Sequence, residues 1–265
     1  MLPDYLSEFN KTLKCFQEKF PLSNWSLEFK NSLINDYSFF SARIEDSKLQ
    51  YGDTIRFLND ETIRAVNLSS LLGVSEHQKT LSNLLETLSE FEISDESIKN
   101  IHINLMSSPF SWDYEYKQEL IGKYRNFPTK GSRSPYFEDK IYAPHYNLEI
   151  IMSSYIDIFK NRLNDINNLL EDKHLLTQIS YFHNKFLNEI HPFADGNGRV
   201  CRIIIGAILM QNNCPPIFPK IIETENQINY ISTIVECEEL KSDRPLVKLL
   251  ANGMTEYMIE RIDSH

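Results

Sequence analysis

A histidine, an aspartate and two arginines lie together in the stretch HPFADGNGRVCR, His191 to Arg202. These residue types can take a proton, hold a hard cation and bind phosphate. His191 ionises near neutrality, which suits it to accept a proton from a hydroxyl. Asp195 offers a hard oxygen of the kind Mg²⁺ takes alongside substrate phosphates. Arg199 and Arg202, three apart, share one face of a helix, and each can fork onto phosphate oxygens. Gly196, Asn197 and Gly198 stand between Asp195 and Arg199, and the two glycines are among only eight in 265 residues. Glycine lets the backbone approach a ligand closely, and Asn197 can donate to an oxyanion. A helix starting near Gly198 would present N–H groups without intrahelical partners at the positive end of its dipole, which is an anion site.

Each feature alone has a plainer reading. DGNG is commonly a tight turn, a histidine before proline is commonly structural, and helical arginines are commonly solvated. Their combination in so short a stretch favours a nucleotide site. A P-loop is excluded, since GxxxxGK(S/T) is absent, and so is HExxH zinc chemistry.

The elements that must position this loop read as helices. Leu175, Leu176, Ile179, Phe182, Phe186 and Ile190 recur at spacings of three and four, giving an amphipathic helix that runs straight into His191. Val200, Ile203, Ile204, Ala207, Ile208 and Leu209 form a second helix, apolar nearly all round and therefore central. Cys214-Pro215-Pro216 ends it. Leu246, Leu250, Met254, Tyr257 and Met258 mark a terminal helix. Further helices are expected near 4–19, 24–46, 55–72, 76–90, 95–107 and 147–166. The least helical region is 123–146, with weak strand alternation at Tyr136–Tyr142. It reads equally as a functional hairpin or as a surface loop.

The formal charge is −10, with 42% hydrophobic and 24% charged residues. That is a globular balance without the basic footprint of a nucleic-acid binder. Cys15, Cys201, Cys214 and Cys237 show no metal spacing and read as free thiols. Charges fill the opening MLPDYLSEFNK, and the longest apolar run, IIIGAILM, is far too short to span a bilayer. The expectation is a cytoplasmic, all-α chain with no membrane and no nucleic-acid partner.

HPFADGNGRVCR resembles the signature of the Fic (Fic/Doc) family, HxFx(D/E)GNGRxxR, at every fixed position. The resemblance implies a Fic-type helical bundle with a short β-hairpin flap, arranged as a single domain over 1–265. Residues 1–90 would form an N-terminal helical lobe and 91–265 the Fic core. It implies an autoinhibited protein adenylyltransferase, moving AMP from ATP to a Tyr, Thr or Ser hydroxyl. His191 would be the base, Phe193 would hold the loop, and Asp195 would hold Mg²⁺. Gly196, Asn197 and Gly198 would form the anion hole. Arg199 and Arg202 would take the β- and γ-phosphates. SARIED resembles the family's inhibitory motif (S/T)xxxE(G/N), on a helix near 36–46. Ser41 and Glu45 fit, and Glu45 would pair with Arg202 and compete with the γ-phosphate. Asp46 departs from Gly/Asn and could alter the helix end or add repulsion. IHINLMSS (101–108) and GKYRN (122–126) resemble the approach to the flap, which would clamp a target protein along 135–146. ENQINYISTI (225–234) resembles the helix beside the adenine, making Asn226, Asn229 and Tyr230 candidates. A homodimer is compatible with the family.

Other functions stay open: removal of AMP from a modified protein using Glu45, transfer from another nucleotide donor, or a non-catalytic nucleotide-sensing module. His191 speaks against the last, because a binder needs no base.

Overall fold

Helices form where apolar residues recur at helical spacing between polar ends. The computed structural model describes residues 2–46, 48–59, 61, 68–107, 118–131, 140–222 and 224–264. Among these residues ten α-helices follow in order: α1 Asp4–Lys19, α2 Leu27–Glu45, α3 Tyr51–Leu58, α4 Leu68–Glu86, α5 Asp95–Met106, α6 Leu148–Asn164, α7 Leu175–Asn184, α8 Asn197–Gln211, α9 Thr224–Leu240 and α10 Arg244–Asp263. Two strands, β1 Lys130–Gly131 and β2 Lys140–Ile141, pair antiparallel, with Lys130 opposite Ile141 and Gly131 opposite Lys140. The all-α class with a small hairpin is the class expected from the sequence. Residues 135–139 of the expected flap lie outside the described residues.

Helix α8 is the axis. Every residue from Val200 to Met210 is buried, and α2, α4, α5 and α7 pack around it. Each isoleucine or leucine taken fully out of water there contributes about 2 kcal/mol. The start of α8, which carries the phosphate-type residues, is thus anchored by the core rather than by its loop. Gly206 permits close packing: a Cβ there would lie 3.2 Å from Leu81 and 3.4 Å from Tyr37.

Two sequence expectations need correction. The break expected between helices at 55–72 and 76–90 does not occur, because α4 runs through Gly73 without interruption. A glycine is tolerated within a helix at a cost of about 1 kcal/mol, and here it faces the Arg199 guanidinium. The helix expected to run unbroken into His191 instead changes winding, since α7 stops at Asn184 and Lys185–Ile190 form a π-helical turn. Phe186 and Ile190 remain buried through the change, so apolar spacing does not reveal it.

Helix α2 is held by a buried carboxylate. Asp36 accepts from Tyr51 Oη at 2.6 Å, from Tyr257 Oη at 2.5 Å and from Arg261 Nη2 at 2.6 Å. This ties α2 to α3 and α10. α1 lies along α10, so the two ends of the chain pack together. Among the described residues, no helix is long and apolar enough to cross a membrane.

Candidate active site

The π-turn sets the position of His191. The His191 N–H donates to Phe186 O at 2.8 Å, five residues back, and the residue takes a left-handed conformation, φ 49°. A histidine at positive φ is uncommon and marks local constraint. His191 Nδ1 lies 3.0 Å from Leu187 O. A carbonyl only accepts, so Nδ1 carries the proton and Nε2 keeps its lone pair. Burial, and secondarily the Arg125 charge, hold the imidazole below its usual pKa against the Leu187 bond, Asp195 and Glu45. The ring is neutral at pH 7, as a base must be.

The loop after it is closed by Asn197. Its Oδ1 accepts from Phe193 N and its Nδ2 donates to Phe193 O, both at 2.9 Å. This corrects the expectation that the Asn197 amide faces an oxyanion. Both its ends are spent on the loop, and only its main-chain N–H remains for a ligand. Asn197→Ala would strand a buried N–H and C=O, costing about 3 kcal/mol. Calorimetry should show a Tm fall of roughly 6–12 °C; an unchanged Tm would mean the loop is held elsewhere. Gly196 precedes α8 at φ 74°, with Met106 Sδ only 2.8 Å from where a Cβ would stand. Only glycine fits there.

A carboxylate sits at the start of α8. Glu45, the last residue of α2, accepts from Arg202 Nη2 at 2.6 Å and lies 3.6 Å from Arg199 Nε. Its Oε1 is 2.5 Å from the Cβ position of Gly198. The anion site at the helix N-terminus thus already holds a side-chain anion. Arg202 is 1% exposed, and its Nε donates to Ser41 Oγ at 2.7 Å. Burial is the largest influence and disfavours its charge, but the Glu45 carboxylate together with Tyr230 and Cys201 raises its pKa on balance. Asp195 Oδ1 accepts from Gly196 N at 2.7 Å, and Oδ2 is 3.9 Å from Arg199 Nη2. Asp46 lines a small pocket together with Glu45 and Arg199. It accepts from Lys48 N and from Ser70 Oγ on α4, and its φ of −126° needs neither Gly nor Asn.

A family model described as the Fic/DOC family matches residues 92–209. The chain contains a Fic/DOC domain. A protein adenylyltransferase fic-1 of Caenorhabditis briggsae is 25% identical over 222 residues, covering 81% of this chain and 38% of that protein. A probable protein adenylyltransferase of Aquifex aeolicus is 45% identical over 58 residues, 22% of this chain and 16% of that protein. The chain therefore spans well under half the length of these relatives. A Fic family protein from Desulfovibrio desulfuricans G20 shares the fold at TM-score 0.77 and 16% identity, covering 100% of this chain and 76% of that one. A Fic domain containing signaling protein from Bacteroides thetaiotaomicron does so at 0.77 and 20%, covering 97% and 94%.

Two residues that support the Fic/DOC loop went unread in the sequence. His102 stacks on Phe193 at 4.0 Å and 7°. Its Nδ1 accepts from Gly122 N at 2.9 Å, so its Nε2–H donates to Asp195 O at 3.2 Å. Burial pushes it down to about 4, which keeps this bonding pattern at neutral pH. Arg125, 2% exposed, donates to the carbonyls of His191, Phe127, Ala143 and Ile190. Both fall in the segments IHINLMSS and GKYRN. A buried polar residue there was the available signal, but its partners lie far along the chain.

The adenine candidates separate. Tyr230 is buried, and its hydroxyl meets His183 Nε2. Burial holds His183 down to about 3 and keeps Tyr230 a phenol, so Tyr230 is a core residue and not a base-facing one. Asn226 and Asn229 are exposed and line a pocket of about 670 Å³ between α9 and α10 that no motif residue borders. Successive helical residues point about 100° apart, which sends Tyr230 inward and Asn229 outward. A different pocket of about 450 Å³ lies beside the π-turn, lined by Lys140 of the flap, Asn184, Asn188, Glu189, Cys237 and Asp243, and no motif residue borders it either. Lys140 pairs with Glu238 beside it.

Proposed function

We propose that this chain transfers AMP from ATP to a hydroxyl of a target protein, restrained by Glu45. The neutral His191, with Nε2 free beside a helix-terminal anion site, carries this reading. Nε2 takes the hydroxyl proton as the oxygen attacks the α-phosphorus. The new O–P bond forms as the α–β phosphoanhydride breaks, and pyrophosphate leaves. Arg199, Arg202 and the first N–H groups of α8 hold the phosphates and neutralise their charge. Asp195 would hold Mg²⁺, which neutralises phosphate charge when bound. Its single carboxylate, 41% exposed, suits an ion that takes its other oxygens from phosphates and water. A target segment would pair along the flap.

Glu45 is 40% exposed at the site, so it could also orient water, which supports AMP removal as a second reading. ATP labelled at the α- or γ-phosphate, supplied with Mg²⁺ and lysate to Glu45→Gly protein, separates the cases. α-Label on protein is expected. Transfer of γ-label alone would overturn the phosphate assignments. Release of AMP from pre-labelled protein by wild type but not by the variant would favour removal.

A further inference from the structure

The flap and the catalytic histidine are joined more closely than target docking requires. Tyr142, directly after β2, lays its ring on the His191 imidazole, with centroids 4.0 Å apart and planes within 11°. The next residue is fixed to the same segment: Ala143 N donates to Glu189 O at 2.8 Å. Arg125 Nη2 donates to Ala143 O at 2.6 Å and to Ile190 O at 3.2 Å, while Nε donates to His191 O at 2.8 Å. Its own N–H reaches Pro192 O at 2.9 Å. One buried guanidinium clasps the end of the flap and the residues where the π-turn gives way to the motif. Beyond the ring stands β1. A Cβ on Gly131 would lie 1.9 Å from the Tyr142 hydroxyl and 2.7 Å from its Cζ. The hydroxyl end of the ring therefore abuts Gly131 while its face lies on His191.

We infer that Tyr142 is a positioning residue for the general base, and that the stretch from β2 to Ala143 and the base move as one body. This rests on the reading of His191 as the base. With Nδ1–H on Leu187 O and one face on Tyr142, the imidazole cannot turn without losing both contacts. A target strand pairing along β2 bears on the residue that orients the base, so docking and proton abstraction are coupled. The charged and titratable groups acting on His191 are Arg125, Asp195, Glu45 and the Tyr142 phenol.

The test uses the Glu45→Gly protein as parent. Tyr142→Phe should keep kcat within about twofold, because the stacked face is retained. Tyr142→Leu and Tyr142→Ala should lower kcat by roughly 10–100-fold, the scale of a small misplacement of a reacting group, with KM for ATP unchanged. Gly131→Ala displaces the ring without altering it, and should lower kcat equally. In nucleotide-free protein, the His191 Cε1–H titration followed by NMR should move up toward pH 6.5 in the Leu and Ala variants, since one ring face becomes wet. Full kcat in Tyr142→Leu with an unmoved titration overturns the inference. Failure of the parent to transfer any label strikes the functional reading alone, because the NMR titration still reports on Tyr142.

Discussion

Glu45→Gly is expected to destabilise the nucleotide-free protein and to accelerate transfer, by related amounts. Arg202 is 1% exposed and its closest carboxylate is Glu45. Removing one partner of a buried ion pair costs about 3–5 kcal/mol when both are buried. Glu45 is 40% exposed and Ser41 still serves Arg202 Nε, so about 2 kcal/mol is the appropriate scale. On the proposed reading a γ-phosphate displaces the same contact in wild type, and about 2 kcal/mol corresponds to roughly 30-fold in affinity. The variant should therefore melt lower without nucleotide and recover more than wild type when ATP binds. Thermal melts with and without ATP, beside α-label transfer, measure both sides. Equal ATP-induced shifts in the two proteins would show that Glu45 does not compete with the nucleotide.

His191→Ala in the Glu45→Gly background should lower transfer by about 10²–10⁴-fold, the usual contribution of a positioned general base. ATP affinity should hold, because the imidazole touches Leu187 O and Tyr142 rather than the phosphate residues. The parent's pH profile follows from the same geometry. Only neutral imidazole accepts a proton, and burial lowers the His191 pKa below 6.5. Transfer should be flat through neutrality and fall as pH drops through that lowered value, with kcat/KM reporting the free enzyme. Loss of less than tenfold in His191→Ala, or an acid limb above pH 6.5, would remove the base assignment.

The elements around the site were largely legible because they obey local rules. The helix over 4–19 is α1 as it stands, and those near 95–107 and 147–166 are α5 and α6 to within two residues. The helix 200–210 announces its central place by being apolar nearly all round, Arg202 apart. The motif was legible because phosphate chemistry needs its donors close in sequence, at one helix start. What escaped depends on distant partners. Arg125 binds main-chain carbonyls up to 66 residues away, and any residue can supply a carbonyl. His102 meets Asp195 across 93 positions. Asn197 shows the converse: its side chain could have served a ligand, and only the Phe193 backbone four residues back reveals that it is occupied. Tyr230 was a candidate through the resemblance of ENQINYISTI alone, yet its own face turns to His183 and the core.

The π-turn at Lys185–Ile190 sets a rotational phase. It holds one more residue per hydrogen-bonded loop than the α-helix that feeds it, so the residues after it are dialled about 100° around the axis. Replacing an exposed side chain of the turn such as Glu189 leaves that setting alone. Removing one residue would let the helix close in ordinary register and swing His191 off Leu187 and Tyr142, with every atom of the catalytic motif still present in the chain. This stretch is therefore forgiving of spelling and intolerant of length.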